Sequence, residues 1–141
     1  MMKKDTSKII EELQLCANFS TFYDKNKEHM VHDTLSQLLN QLIQEKKLKK
    51  SEVIKRSELS EVYSYQIFSG LRIPDRSKLL CLALGMSLDL NETQALLKST
   101  GYPPLYAKRP FDSIILYGIC QKMSIAQIND LLFEHDLETL G

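Results

Sequence analysis

Residues 48–74 read LKKSEVIKRSELSEVYSYQIFSGLRIP. Ser51 is positioned to cap a short helix by accepting an orphan backbone N–H, with Val53 and Ile54 on the buried side and Lys50, Lys55 and Arg56 outside. Ser57-Glu58-Leu59-Ser60 is short and polar enough only for a turn, with Leu59 plugging the corner. Ser60 then caps a second helix, along which Val62, Tyr63, Ile67 and Phe68 make an apolar stripe near helical spacing. Gly70 supplies the left-handed exit that glycine adopts cheaply, and Pro74 prevents the helix from resuming. Two short helices joined by four residues form a helix-turn-helix, whose second helix has the dimensions to enter a DNA major groove.

The flanking segments are helical too. Before the stretch, Asp33 or Thr34 caps a helix to Lys46 whose Leu35, Leu38, Leu39, Leu42 and Ile43 trace an unbroken stripe, the mark of a core-facing helix. After Pro74, Asp75 caps Arg76–Leu84, apolar almost all round and so expected at the centre, with Gly85 ending it. Asn91 is expected to cap Glu92–Lys98, with Ala95, Leu96 and Leu97 inward. Pro103 and Pro104 force an extended path toward helix Phe111–Lys122 and a last helix, Ile125–Glu134, capped by Ser124. This final pair is an αα-hairpin that either completes the core or forms a dimer face.

The motifs Lys50-Ser51-Glu52-Val53 and Tyr65-Gln66-Ile67-Phe68-Ser69-Gly70, followed by Arg72 and Pro74, carry a resemblance. The segment resembles the DNA-binding domain of the lambda-repressor-like (XRE, Cro/C1) family, and LGMSLDLNETQALLKSTGY, residues 84–102, is similar to the way many members close their bundle. The likeness spans residues 33–100. Two positions depart from the family pattern. Ile54 stands where a small Ala is usual, and Glu58 stands where the turn usually has Gly, at a cost of about 1 kcal/mol for a left-handed non-glycine residue. The residues read as an N-terminal helical arm at 1–32 and a C-terminal hairpin at 101–141 around residues 33–100, for which the resemblance implies an all-α, lambda-repressor-like five-helix bundle. It also implies double-stranded DNA as partner. Glu61, Val62, Tyr65 and Gln66 take the places that face base edges. The Gln66 amide can pair bidentately with adenine, Val62 and Tyr65 can meet a thymine methyl, and Glu61 can accept from cytosine N4. Lys49, Lys50, Ser51, Lys55 and Arg72 take the places that meet phosphates.

Composition bounds the alternatives. The 141 residues carry 18 basic and 18 acidic groups, so the chain does not coat nucleic acid by net charge. Yet Lys46, Lys47, Lys49, Lys50, Lys55 and Arg56 oppose only Glu45 and Glu52 between positions 45 and 56, and this cluster adjoins the helix-turn-helix. No apolar run approaches the roughly 18 residues a membrane span needs. The amino terminus, MMKKDTSKIIEELQ, turns acidic where a signal peptide would be apolar, which argues for a cytoplasmic protein. Cys16, Cys81 and Cys120 are unclustered and lie in apolar helical contexts, as expected of buried, inert thiols. His29 and His32 are three residues apart, a spacing that on a helix would place both on one face, but no third ligand is evident, so no metal is expected. No Gly-rich phosphate loop, HExxH or GxSxG is present, and neither an enzyme nor a cofactor is expected.

In the arm, one helix runs from Asp5 or Thr6 to Leu15, with Ile9, Ile10, Leu13 and Cys16 on one face, and Ser20 is expected to start a second. Phe19, Phe22, Tyr23, Met30 and Val31 make this arm a surface that must pack on something. Two readings follow. The first is a sequence-specific DNA-binding regulator, a homodimer because one helix-turn-helix buries too little DNA alone. The second is a helical adaptor or antitoxin-like protein that keeps the fold but reads a protein partner.

Overall fold

The computed structural model describes residues 6–26 and 34–141. His29, Met30, Val31, His32 and Asp33 lie outside the described residues. Among the described residues the chain is all-helical, with nine helices and no strand. None of these helices is long and apolar enough to cross a membrane. The chain divides into two compact units, Met1–Asp33 and Thr34–Gly141.

The first unit holds α1 (Thr6–Leu15) and α2 (Phe19–Asn26). Asn18, rather than Ser20, starts α2. Its side-chain oxygen accepts the Thr21 N–H at 2.8 Å, because an Asx side chain reaches the backbone three residues on more readily than a serine already inside the helix. Phe22 is buried, and the Phe19 ring lies against both it and the Tyr23 ring, at 5.8 and 6.0 Å between centroids. Asn26 is also buried and donates to the Glu12 carboxylate at 2.7 Å and to the Phe22 carbonyl at 3.1 Å. The expected inner face of α1 is only half realised. Ile9 is partly covered, while Ile10, Leu13 and Cys16 are exposed.

The second unit contains α3 (Leu35–Glu45), α4 (Lys50–Ser57), α5 (Glu61–Ser69), α6 (Arg76–Gly85), α7 (Leu90–Ser99), α8 (Pro110–Cys120) and α9 (Ile125–Glu134). Caps mark most of the starts. Thr34 and Gln37 form a reciprocal capping box on α3, and Ser124 and Gln127 form one on α9. Asp75 accepts the Lys78 N–H on α6. Two expected caps fall elsewhere. Asp89, not Asn91, caps α7 through a box with Glu92, since a carboxylate two residues upstream reaches the same orphan donors and suits the positive helix end. Ser51 lies inside α4, which starts from Lys49 without any side-chain cap.

The core is organised around α6. Leu79, Leu80, Cys81, Leu82 and Ala83 are all buried, as expected of a helix apolar on every side. Gly85 is the last residue of this helix rather than its terminator, and the left-handed turn falls on Ser87, φ 56°. What Gly85 provides is room: a Cβ there would lie 2.6 Å from the Val53 carbonyl oxygen of α4. Burial pushes the Cys81 thiol up to about 12, so this sulfur is inert packing. Cys16 and Cys120, expected to be buried, are exposed: Cys16 follows α1, whose Ile10 and Leu13 are themselves exposed, and Cys120 is the last residue of α8. Ala95 is also exposed, while Thr93, Leu96 and Leu97 turn inward.

The αα-hairpin completes this same core. Ile115, Ile125, Ile128 and Leu132 are buried with Leu140, and a Cβ on Gly118 would meet the Ile128 side chain at 2.5 Å. The proline-containing connection to it is strapped by side chains that use its main-chain groups. A proline has no N–H to give, so its carbonyl is the handle. Arg76 donates to the carbonyls of Pro103 (2.9 Å) and Pro104 (3.1 Å) and forks onto Asp112 at 2.9 and 3.0 Å. Asp112 also accepts the Tyr106 N–H at 2.9 Å. Gln94 pairs through both ends of its amide with the main chain of Leu105. Burial works to raise the Asp112 carboxyl, but the Arg76 and Tyr106 hydrogen bonds and the nearby Arg76 and Arg109 charges outweigh it and hold the group below the ordinary Asp value of 3.8.

Two outcomes are expected. Gly85→Ala forces α4 and α6 apart and lowers stability by about 1–3 kcal/mol, read as a lower midpoint in thermal or urea unfolding. Asp112→Asn costs about 3 kcal/mol at neutral pH, the low end for a broken buried pair, because 24% of the Arg76 side chain stays in water. A carboxyl held low in the folded state stabilises above its unfolded value and loses that contribution as pH falls. The gap between parent and Asp112→Asn therefore narrows as the pH is taken below 3.8.

Candidate nucleic-acid interface

Helix α4, the turn at 57–60 and α5 are set by a few small polar contacts. Val53, Ile54 and Ser57 form the buried side of α4, and the Ser57 hydroxyl donates to the Ile54 carbonyl at 2.6 Å. Glu58 adopts φ 57°, left-handed, in the place where glycine would be cheapest. Ser60 caps α5 by accepting the Tyr63 N–H at 3.3 Å. One turn later the buried Ser64 donates back to the Ser60 carbonyl at 2.8 Å. Asn40 of α3 fixes the far end, its amide donating to the Phe68 carbonyl and to the Ser36 carbonyl, both at 2.8 Å. Gly70 leaves the helix at φ 85°, where an added Cβ would also press on Ser36 Oγ at 3.1 Å.

Ser64, Ile67 and Phe68 are the inward residues of α5. Its opposite face carries Glu61, Val62, Tyr65 and Ser69 in the open, with Gln66 half-buried at the edge. Val62, counted in the sequence both as part of the apolar stripe and as a surface reader, is 69% exposed, and Tyr65 is 42% exposed. Tyr63 and Phe68, by contrast, pack on the core. The four expected base-facing residues thus share one side of a helix that is capped at both ends.

The expected phosphate-facing residues divide. Lys50 Nζ lies 4.9 Å above the Phe68 ring, which sets it beside the last turn of α5, and Lys49 precedes it at the exposed N-cap of α4. Arg72 follows Gly70, its N–H donating to the Gln66 carbonyl at 3.2 Å and its Nε to Gln66 Oε1 at 3.1 Å. Lys50 and Arg72 therefore border the carboxyl end of α5, and Lys49 precedes Lys50 in the chain. Ser51 is exposed on the first turn of α4. Lys55 stands about 140° around α4 from Lys50 and lines a different groove with Arg56, Glu58 and Lys122. Within the basic run, Lys46 pairs with Glu92 at 2.8 Å and Arg56 with Glu52 at 3.4 Å. Lys49, Lys50, Lys55 and Arg72 make no ion pair among the described residues.

No family model, curated protein or solved structure matches the chain. Any role for this surface rests on its own chemistry. Among the described residues no group of three His, Cys, Asp or Glu is placed to hold a metal ion. Leu71 and Ile73, 72% and 82% exposed, flank Arg72 on the loop after α5. The signal for them in the sequence is two large apolar residues alternating with an arginine before a proline.

Proposed function

We propose that the chain is a sequence-specific DNA-binding transcriptional regulator of lambda-repressor-like type, in which α3–α7 act as the five-helix domain and α5 enters the major groove. One observation carries this reading. The outer face of α5 (Glu61, Val62, Tyr65, Gln66) is open while its inner face is core, and the cations at its carboxyl end carry no carboxylate partner among the described residues. A helix held this rigidly loses little freedom on docking. Its hydrogen-bonding and apolar side chains are of the kinds that distinguish base pairs in the major groove. Lys49 and Lys50 have the charge and reach to grip the flanking phosphates, with Ser51 as a neutral contact, while Arg72 is turned back onto Gln66. Lys55, on another side of α4, touches phosphate only where the duplex bends around the domain. A single unit of this size covers too little DNA for tight specific binding, and a homodimer on a two-fold operator follows from that need.

The adaptor or antitoxin-like reading is favoured by the exposed apolar side chains. Leu71 and Ile73 adjoin the reading helix, and Leu15 and Phe19 are open in the first unit. Large apolar groups clustered near a polar face suit a protein partner.

Electrophoretic shifts or anisotropy titrations over a series of salt concentrations test the first reading. The parent chain shows a steep fall of log K with log salt. Lys50→Ala weakens binding to all sequences alike and reduces the slope by about one. Random-oligonucleotide selection that enriches no sequence, together with capture of one dedicated protein partner, establishes the second reading in its place.

A further inference from the structure

The sequence assigns Gln66 to adenine and Arg72 to phosphate, each acting alone. The geometry joins them. Arg72 Nε lies 3.1 Å from the Gln66 side-chain amide. A guanidinium nitrogen only donates, so the amide atom facing it must be the oxygen, and the amide NH2 group must point away. The bond is held at its root as well. The Gln66 carbonyl accepts the main-chain N–H groups of both Leu71 (2.9 Å) and Arg72 (3.2 Å), and the Ser69 hydroxyl at 3.0 Å. The loop thus leaves α5 in a single direction that returns the arginine to the glutamine.

Resting on the DNA-reading role above, we propose that Gln66 and Arg72 form one donor array that reads guanine. Adenine recognition by glutamine requires the amide oxygen to accept from N6 while the NH2 group donates to N7. Here that oxygen already takes the Arg72 N–H. An adenine amino group approaching its second lone pair meets a guanidinium, a donor and a cation together. Guanine offers the opposite edge, with acceptors at N7 and O6 and no donor in the major groove. The outward Gln66 N–H groups and the remaining Arg72 Nη donors match that edge. Arg72 is accordingly a specificity-determining residue that orients Gln66, and the charge it adds strengthens the contact.

Binding-site selection from random oligonucleotides, run on the full chain, tests the couple, with far-UV circular dichroism confirming that each variant is folded. The parent enriches guanine over adenine at one position of each half-site by on the order of tenfold. Arg72→Ala, and Arg72→Met with its longer stem, release the amide oxygen and move that position toward adenine. Gln66→Glu replaces the array with an acceptor and moves it toward cytosine N4. A parent that selects adenine there overturns the proposal. So do Arg72 variants that keep guanine and merely bind more weakly to every sequence, which is the behaviour of a phosphate contact, or a Gln66→Glu variant that keeps guanine. In these cases the DNA-reading role survives. A folded parent that enriches no sequence overturns that role and the couple with it.

Discussion

The approach of α4 to α6 is the constraint on which the second unit depends. It requires that position 85 carry no side chain, because the Val53 carbonyl occupies the space a Cβ would take. With that contact made, Val53, Ile54 and Ser57 seat α4 on the most deeply buried helix of the chain. The turn then leaves α4 in one direction and α5 is laid down with its outer face open. Close packing of this kind transmits strain rather than absorbing it, so the orientation of the reading helix is inherited from a point well inside the core.

A second set of contacts holds the carboxyl-terminal part in place, and it is polar. Arg76, Gln94, Asp112 and Asn129 use side chains to satisfy main-chain groups of segments that have no helix or sheet of their own. Leu140 is buried under this arrangement, tied by Asn129, and Gly141 donates to Ser77 on α6. Buried main-chain groups need partners wherever the chain is irregular. The result is that the α8–α9 hairpin belongs to the same core as the helix-turn-helix. Its outer side still presents Tyr117 and Phe133.

Much of this was legible in the sequence because it is local. The apolar circumference of α6, the Ser60 and Asp75 caps and the left-handed Gly70 are each set within a few residues, whereas of the α3 stripe only Leu39 is fully buried. The open face of α5 follows from the same periodicity, once Ile67 and Phe68 are recognised as inward. Cap assignments failed where two capable residues stood close together, Asn91 beside Asp89 and Ser20 beside Asn18, and at α4, which starts with no side-chain cap for Ser51 to supply. Periodicity does not choose between them, and the winner depends on where the preceding loop arrives. Contacts between distant residues left no mark at all. Arg76 and Asp112 are 36 residues apart and Asn40 and Phe68 are 28 apart, and neither pair belongs to a recognisable spacing. The coupling of Gln66 to Arg72 lay within reach, six residues apart, but it needs the chain to double back after Gly70, and only the turn geometry shows that.

The three thiols differ in a way that makes the chain its own unfolding gauge. Cys16 and Cys120 face solvent and are open to an alkylating reagent in the native state. Cys81 sits in the middle of α6, 1% exposed and with its thiol pushed up to about 12, so a reagent that needs a thiolate reaches it only when the central helix comes out of its packing. The rate at which that third sulfur is consumed therefore counts the openings of the core.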